Sequence, residues 1–163
     1  ILYLPTWRDY NYGRSEEEID YDYFPNMDKI KSTVGNDYVI VSKNHVFLNN
    51  KNKDSITNVT TETQELLLIG DYLISDYSSV IFDAFAIDLP VVLLANDFEK
   101  YQKSRGVYES IWKDLLPFVS YTEEELGKAI LNYNINTQEY KNVKEKFSYL
   151  NNGEDLVNFI LNI

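Results

Sequence analysis

The stretch from Tyr72 to Ala95 alternates two periods in a fixed order. Tyr72-Leu73-Ile74-Ser75 reads as a strand, Ser78-Ser79 opens a helix with Ile81, Ala84, Phe85 and Ile87 on its apolar side, and Pro90 stops it. Val91-Val92-Leu93-Leu94-Ala95 then runs apolar without a break, as strands do when both faces of a parallel sheet are covered. A strand, a helix and a strand at this spacing form a βαβ crossover, which joins parallel neighbours. The rest of the chain repeats the alternation. Ile1 to Leu4, ended by Pro5, is a short buried strand. Phe24, Met27, Ile30 and Val34 stand at helical spacing, and Tyr38 to Ser42 is a β-branched run after the turn Gly35-Asn36-Asp37. Further on, Ile56 to Val59 reads as a short strand, Glu62 to Ile69 as a helix closed by Gly70, Asp97 to Tyr101 as a helical turn and Phe118 to Tyr121 as a last strand. Thr122-Glu123-Glu124-Glu125 is a capping box ahead of Leu126, Ile130 and Leu131. Two amphipathic helices, 139–150 and 154–163, close the chain around Asn151-Asn152-Gly153. No repeat or composition shift divides the sequence, so residues 1–163 read as one doubly wound α/β domain with a mainly parallel sheet.

Composition removes whole classes of function. Fifteen Lys and Arg stand against 26 Asp and Glu, a net charge of −11, and that field repels a nucleic acid held by its phosphates. There is no Cys and a single His, His45, which excludes disulfides, thiolate zinc and Cys nucleophiles. The apolar runs fall far short of the ~18 residues of a membrane span. The chain opens on Ile1 and its only Met is Met27, from which we expect a piece processed or cut from something longer. The six glycines never cluster, so phosphate loops and dinucleotide fingerprints of the glycine-rich kind are absent.

In a doubly wound sheet, ligands sit off the carboxyl ends of the strands. Those ends carry Thr6-Trp7-Arg8, Lys43-Asn44-His45, Asp76-Tyr77-Ser78-Ser79 and Asn96-Asp97. Ser78 and Ser79 stand where a strand passes into a helix, so two hydroxyls and the first-turn N–H groups suit a phosphate or carboxylate. Ser78 is equally suited to capping that helix. Arg105-Gly106 joins a guanidinium fork to a residue that lets backbone approach a diphosphate, although an isolated arginine is more often a solvated charge. His45 is a candidate acid, base or phosphate donor, with a strand-end histidine satisfied by backbone as the alternative. Asp76, Asp83 and Asp97 could hold Mg2+, but no spacing among them marks a metal site. The Glu runs at 16–18 and 123–125 read as solvated faces.

Four blocks occur in order: Pro5-Thr6-Trp7-Arg8-Asp9, Lys43-Asn44-His45, Leu73-Ile74-Ser75-Asp76-Tyr77-Ser78-Ser79-Val80-Ile81-Phe82-Asp83, and Tyr101-Gln102-Lys103-Ser104-Arg105-Gly106-Val107-Tyr108. Together they resemble the CDP-glycerol glycerophosphotransferase family, the teichoic-acid and capsule polymerases. The likeness implies a Rossmann-like three-layer sandwich similar to the C-terminal domain of a B-type, two-Rossmann glycosyltransferase fold. It implies transfer of a polyol phosphate from CDP-glycerol or a related CDP-polyol to a lipid-linked polymer hydroxyl, with CMP leaving. By resemblance, Thr6, Arg8, Asp76, Ser78, Ser79, Arg105 and Gly106 go to the donor nucleotide or diphosphate, and His45 and Asp83 are carried over as catalytic candidates. The family pattern places Pro where this chain has Val46. The acceptor would be met through an N-terminal half. The full enzyme would be cytoplasmic, peripheral on the inner face of a bacterial membrane. No cofactor is implied beyond an optional Mg2+, and no nucleic acid. The competing readings are a glycosyltransferase or sugar-nucleotide epimerase domain of the same architecture, and a non-catalytic nucleotide-binding module.

Overall fold

The computed structural model describes residues 1–8, 13, 18, 23–43 and 56–147. Six strands form one sheet: β1 (Leu2–Tyr3), β2 (Val41–Lys43), β3 (Thr57–Val59), β4 (Leu73–Ser75), β5 (Val91–Leu94) and β6 (Val119–Ser120). Their order across the sheet is β3-β2-β1-β4-β5-β6, and every pairing is parallel. The chain winds outward one way through β1, β2 and β3, then returns to the other side of β1 to lay down β4, β5 and β6. The reversal falls between β1 and β4, where Leu2 pairs with Leu73 and Tyr3 with Ile74.

Side-chain alternation divides the apolar residues between two faces. Leu2, Leu4, Leu73, Val91, Leu93 and Ala95 point to one face. There they meet α2 (Thr63–Ile69), α3 (Val80–Ala86), α5 (Glu109–Leu115) and α7 (Gln138–Phe147) through Leu66, Phe85, Trp112 and Tyr140. Ile1, Tyr3, Ile74, Val92 and Leu94 point the other way, onto α1 (Met27–Val34) and α6 (Glu123–Leu131). Full burial of one such aliphatic or aromatic side chain is worth ~1.5–3 kcal/mol, so each face is a substantial core. On the second face the helices meet at Gly127, where a Cβ would come within 2.6 Å of the Thr33 side chain; only glycine permits that approach.

The sequence places most elements within a few residues, and the differences have local causes. Helix α1 begins at Met27 because Asn26, just after Pro25, caps it by accepting from the Lys29 N–H at 3.2 Å. Helix α3 ends at Ala86, short of Pro90, because Asp88 takes a left-handed φ of 60°; Ile87 consequently leaves the apolar side and is exposed. The expected turn after Asp97 is a full helix, α4 (Phe98–Ser104), and α5, unforeseen in the sequence, follows it. Half of the capping box expected at α6 forms: Thr122 Oγ1 accepts from the Glu125 N–H at 3.2 Å, but Glu125 Oε2 reaches past the cap residue and accepts from the Tyr121 N–H at 2.8 Å. His45, the polar loop at 49–54 and the helix at 154–163 lie outside the described residues. Among the described residues no helix is long and apolar enough to cross a membrane.

Candidate functional site

A cleft of about 830 Å³ opens beside the reversal point of the sheet. Its floor is made where β1 and β4 end, by Thr6 and Asp76; one rim is the β4–α3 turn with Tyr77, Ser78 and Ser79. The opposite rim is the α4–α5 connection, Arg105 to Tyr108, backed by Ile111, Trp112 and Leu115 of α5. The fold thus puts three of the four sequence blocks around one cavity.

Beneath the floor lies a buried ionic cluster. Arg8 is 1% exposed, and its guanidinium donates to the Thr6 carbonyl and Asp76 Oδ2, each at 2.8 Å, and to both Asp97 oxygens at 2.8 and 3.0 Å. Asp76 also accepts from the backbone N–H groups of Thr6 at 2.8 Å and Tyr77 at 2.6 Å. The Arg8 guanidinium carbon lies 4.6, 5.0 and 5.2 Å from the rings of Tyr23, Tyr77 and Tyr101, so aromatic faces complete its surroundings. Burial by itself would lower the Arg8 pKa, but the two carboxylates more than reverse this and hold it firmly charged. For Asp76, burial raises the pKa above the ordinary carboxylate value and Arg8 opposes the rise. The Tyr77 phenol, raised by burial and then by the charge of Asp97, stays protonated and donates to Asp97 Oδ1 at 3.0 Å.

These positions revise several expectations. Arg8 does not line the cleft, and its donors are engaged within the chain. It therefore holds the floor together, where the resemblance had assigned it to the donor phosphate or the interdomain cleft. Asp76 reaches the cavity but both its oxygens are taken, so its part is also to hold. Asp83 is exposed on α3 and is not among the cleft-lining residues. Asp76, Asp83 and Asp97 do not gather as Mg2+ ligands. Two of them neutralise Arg8, and among the described residues no group of three or more acidic or His side chains could hold a metal. The donor set does not fit the ion.

Thr6, Ser78, Ser79, Arg105 and Gly106 all line the cleft. The N-cap position of α3 is Ser79, whose side chain makes no capping bond, and Ser78 Oγ accepts only a long 3.4 Å contact from the Val80 N–H. Both hydroxyls are thus largely available to the cavity. Gly106 has a φ of +77°, a conformation in which any other residue is strained, and this carries the chain from α4 across to Tyr108. Tyr108 is 81% exposed at the rim. The apolar wall of α5 was not foreseen, although Ile111, Trp112 and Leu115 stand at helical spacing that would have revealed it.

An all-parallel doubly wound sheet in the order 3-2-1-4-5-6, with paired hydroxyls and an arginine around a cavity at its reversal point, defines a Rossmann-like domain of the kind that binds nucleotide diphosphates. Residues 1–161 match CDP-Glycerol:Poly(glycerophosphate) glycerophosphotransferase, and the chain belongs to that family. It is 33% identical over 170 residues to the teichoic acid poly(glycerol phosphate) polymerase of Staphylococcus epidermidis, covering 94% of this chain and 23% of that protein. It is 32% identical to the polymerase of the same name from Bacillus subtilis, covering 98% and 23%. The chain therefore spans about a quarter of the length of these curated relatives. Among solved structures, that of the wall teichoic acid polymerase TagF superposes with a TM-score of 0.71 at 29% identity, covering 94% of this chain and 40% of that one. The resemblance to a B-type, two-Rossmann fold implied by the sequence blocks agrees with this likeness. A TagF variant soaked with CDPG matches with a TM-score of 0.69, covering 99% and 43%.

Proposed function

We propose that this chain is the donor-binding part of an enzyme that transfers glycerol phosphate from CDP-glycerol to a hydroxyl of a growing teichoic-acid polymer. The observation that carries the reading is the placement of Ser78, Ser79, Arg105 and Gly106 on opposite rims of one nucleotide-sized cleft. It is supported by membership of a family described by that reaction and by the soak of a TagF variant with CDPG.

In this reading the diphosphate lies between the rims. The Ser78 and Ser79 hydroxyls donate from one side and the Arg105 guanidinium from the other, while Gly106 lets the backbone approach. The acceptor oxygen attacks the phosphorus that carries glycerol. The bond from that phosphorus to the bridging oxygen breaks, and CMP leaves with the electron pair. Charge grows on the departing phosphate, which is where Arg105 acts. The acceptor proton passes to a base, for which His45 is the candidate, since imidazole is the side chain whose ordinary pKa lies near neutrality and this is the chain's single histidine. A two-domain cleft aligns donor and acceptor only with both walls present, so the lipid-linked acceptor is met through a second, N-terminal domain. The complete enzyme then works at the cytoplasmic face of the membrane, where both substrates are available; a capsular polymer is an acceptor of the same chemistry.

Calorimetric titration of this chain with CDP, UDP and GDP tests the reading. CDP is expected to bind clearly more tightly than the other two. Equal binding of all three, or none, would overturn it.

A further inference from the structure

Helix α4 carries an unusual cap. Asp97 stands at its N-cap position, where a carboxylate ordinarily accepts from the first-turn N–H groups, yet it makes no such bond. Its two oxygens accept instead from Arg8 Nε and Nη2 and from the Tyr77 phenol. A local preference is set aside here, and such departures mark positions where another requirement dominates. The Tyr77 ring lies flat on Tyr101, halfway along α4, with centroids 3.8 Å apart and planes within 15°. Tyr101 in turn accepts through its carbonyl from the N–H groups of Arg105 and Gly106, at 2.9 and 3.1 Å. One continuous set of contacts therefore runs from the residue before Ser78 to the residue that carries the opposite rim.

We infer that Tyr77 and Asp97 are positioning residues that fix the separation of the two rims: the Asp97–Tyr77 hydrogen bond and the Tyr77–Tyr101 stack tie the Ser78-Ser79 turn to α4, and α4 delivers Arg105 and Gly106 at the distance one diphosphate requires. The inference rests on the donor-site reading above. Neither residue needs to touch the ligand. Tyr77 acts through Arg105, and its effect on binding exists only while Arg105 is there to be placed.

The test is a double-mutant cycle in the full-length enzyme, with CDP as the probe, reading Kd by calorimetry and Tm on the same samples. Tyr77→Phe keeps the ring and deletes the hydroxyl. It is expected to weaken CDP binding about three- to tenfold, the scale of one hydrogen bond, with the melting temperature shifted by at most about 2 °C. In an Arg105→Ala background the same change is expected to have almost no further effect on Kd. Tyr101→Leu, which keeps apolar bulk and removes the stack, is the second probe and should behave alike. Unchanged CDP affinity in Tyr77→Phe, or effects of Tyr77→Phe and Arg105→Ala that multiply in full, would overturn the inference while leaving the donor site standing. Failure of the wild-type enzyme to bind CDP, or an Arg105→Ala change without effect, would instead overturn the donor-site reading and the inference with it.

Discussion

Beneath the cleft, Arg8 is enclosed by two carboxylates, a carbonyl and three aromatic rings; on the rim, Arg105 and Ser79 are exposed and Ser78 half-buried. One arginine lies beneath the cavity and the other lines it, within a chain of net charge −11, and each answers a different problem. The loops after β1, β4 and β5 must converge in a region with little apolar material of their own, and one buried cation shared by two aspartates joins all three. The rim must meet a ligand that comes and goes, so its groups face solvent. A buried ion pair costs more in desolvation than a surface one and gives rigidity in return, whereas the contacts of an exposed arginine are worth little to stability. The floor should therefore fail through folding and the rim through binding.

The largest expected effect breaks the floor. Arg8→Ala leaves Asp76 and Asp97 buried without their cation and is expected to lower stability in urea by about 3–5 kcal/mol at pH 7. Burial already raises the Asp76 pKa, and the variant loses the one opposing charge. A carboxyl whose folded pKa lies above its unfolded one favours folding when protonated. The deficit should thus shrink as pH falls from 7 toward the ordinary carboxylate range; a deficit that widens on acidification would show that Asp76 is not the group responsible.

Arg105→Ala comes next and breaks the rim. CDP affinity should fall by about 1.5–3 kcal/mol, the strength of a charge-assisted hydrogen bond, with Lys rescuing only in part. Urea unfolding of the same protein should match wild type. A stability loss comparable with that of Arg8→Ala would erase the distinction between the two regions.

Two smaller substitutions sharpen it. Thr122→Ala removes a working N-cap on the far side of the sheet and should cost about 1 kcal/mol of stability with CDP binding unaltered. Ser78→Ala removes a hydroxyl whose capping contact is 3.4 Å long; stability should stay within about 0.5 kcal/mol of wild type. Its CDP affinity should drop by about 0.5–1.5 kcal/mol, which calorimetry can resolve. If Ser78 behaves like Thr122, it is a cap and not part of the rim.

What could be read from the sequence followed the reach of the signal. The crossover from Tyr72 to Ala95 was legible because its periods lie within one stretch, and the N-cap at Thr122 because four residues contain it. The rim residues were legible as strand-end and loop polar groups. The floor was not, since Arg8 and Asp97 are 89 residues apart and nothing local to either announces the other. Arg8 and Asp76 consequently read as donor contacts, whereas the hydrogen bonds they make hold the loops after β1, β4 and β5 together. Helix α5 was missed because its seven residues follow a polar loop, and its apolar side faces the cavity as much as the core.

Helix α4 has seven residues, with Asp97 before it and Arg105 after it. One residue more or less would turn everything beyond by about 100° and shift it by about 1.5 Å along the axis, carrying Arg105 away from Ser78. A point change on its outer surface at Lys103, which is exposed, disturbs none of this, whereas Gln102, though exposed too, accepts from the Val107 N–H at 3.0 Å and so steadies the rim. The length of α4 is thereby a quantity that natural variation can hardly explore, while its outward composition is open to drift. Members of the family should therefore differ from this chain around α4 by replacement of residues and not by their number.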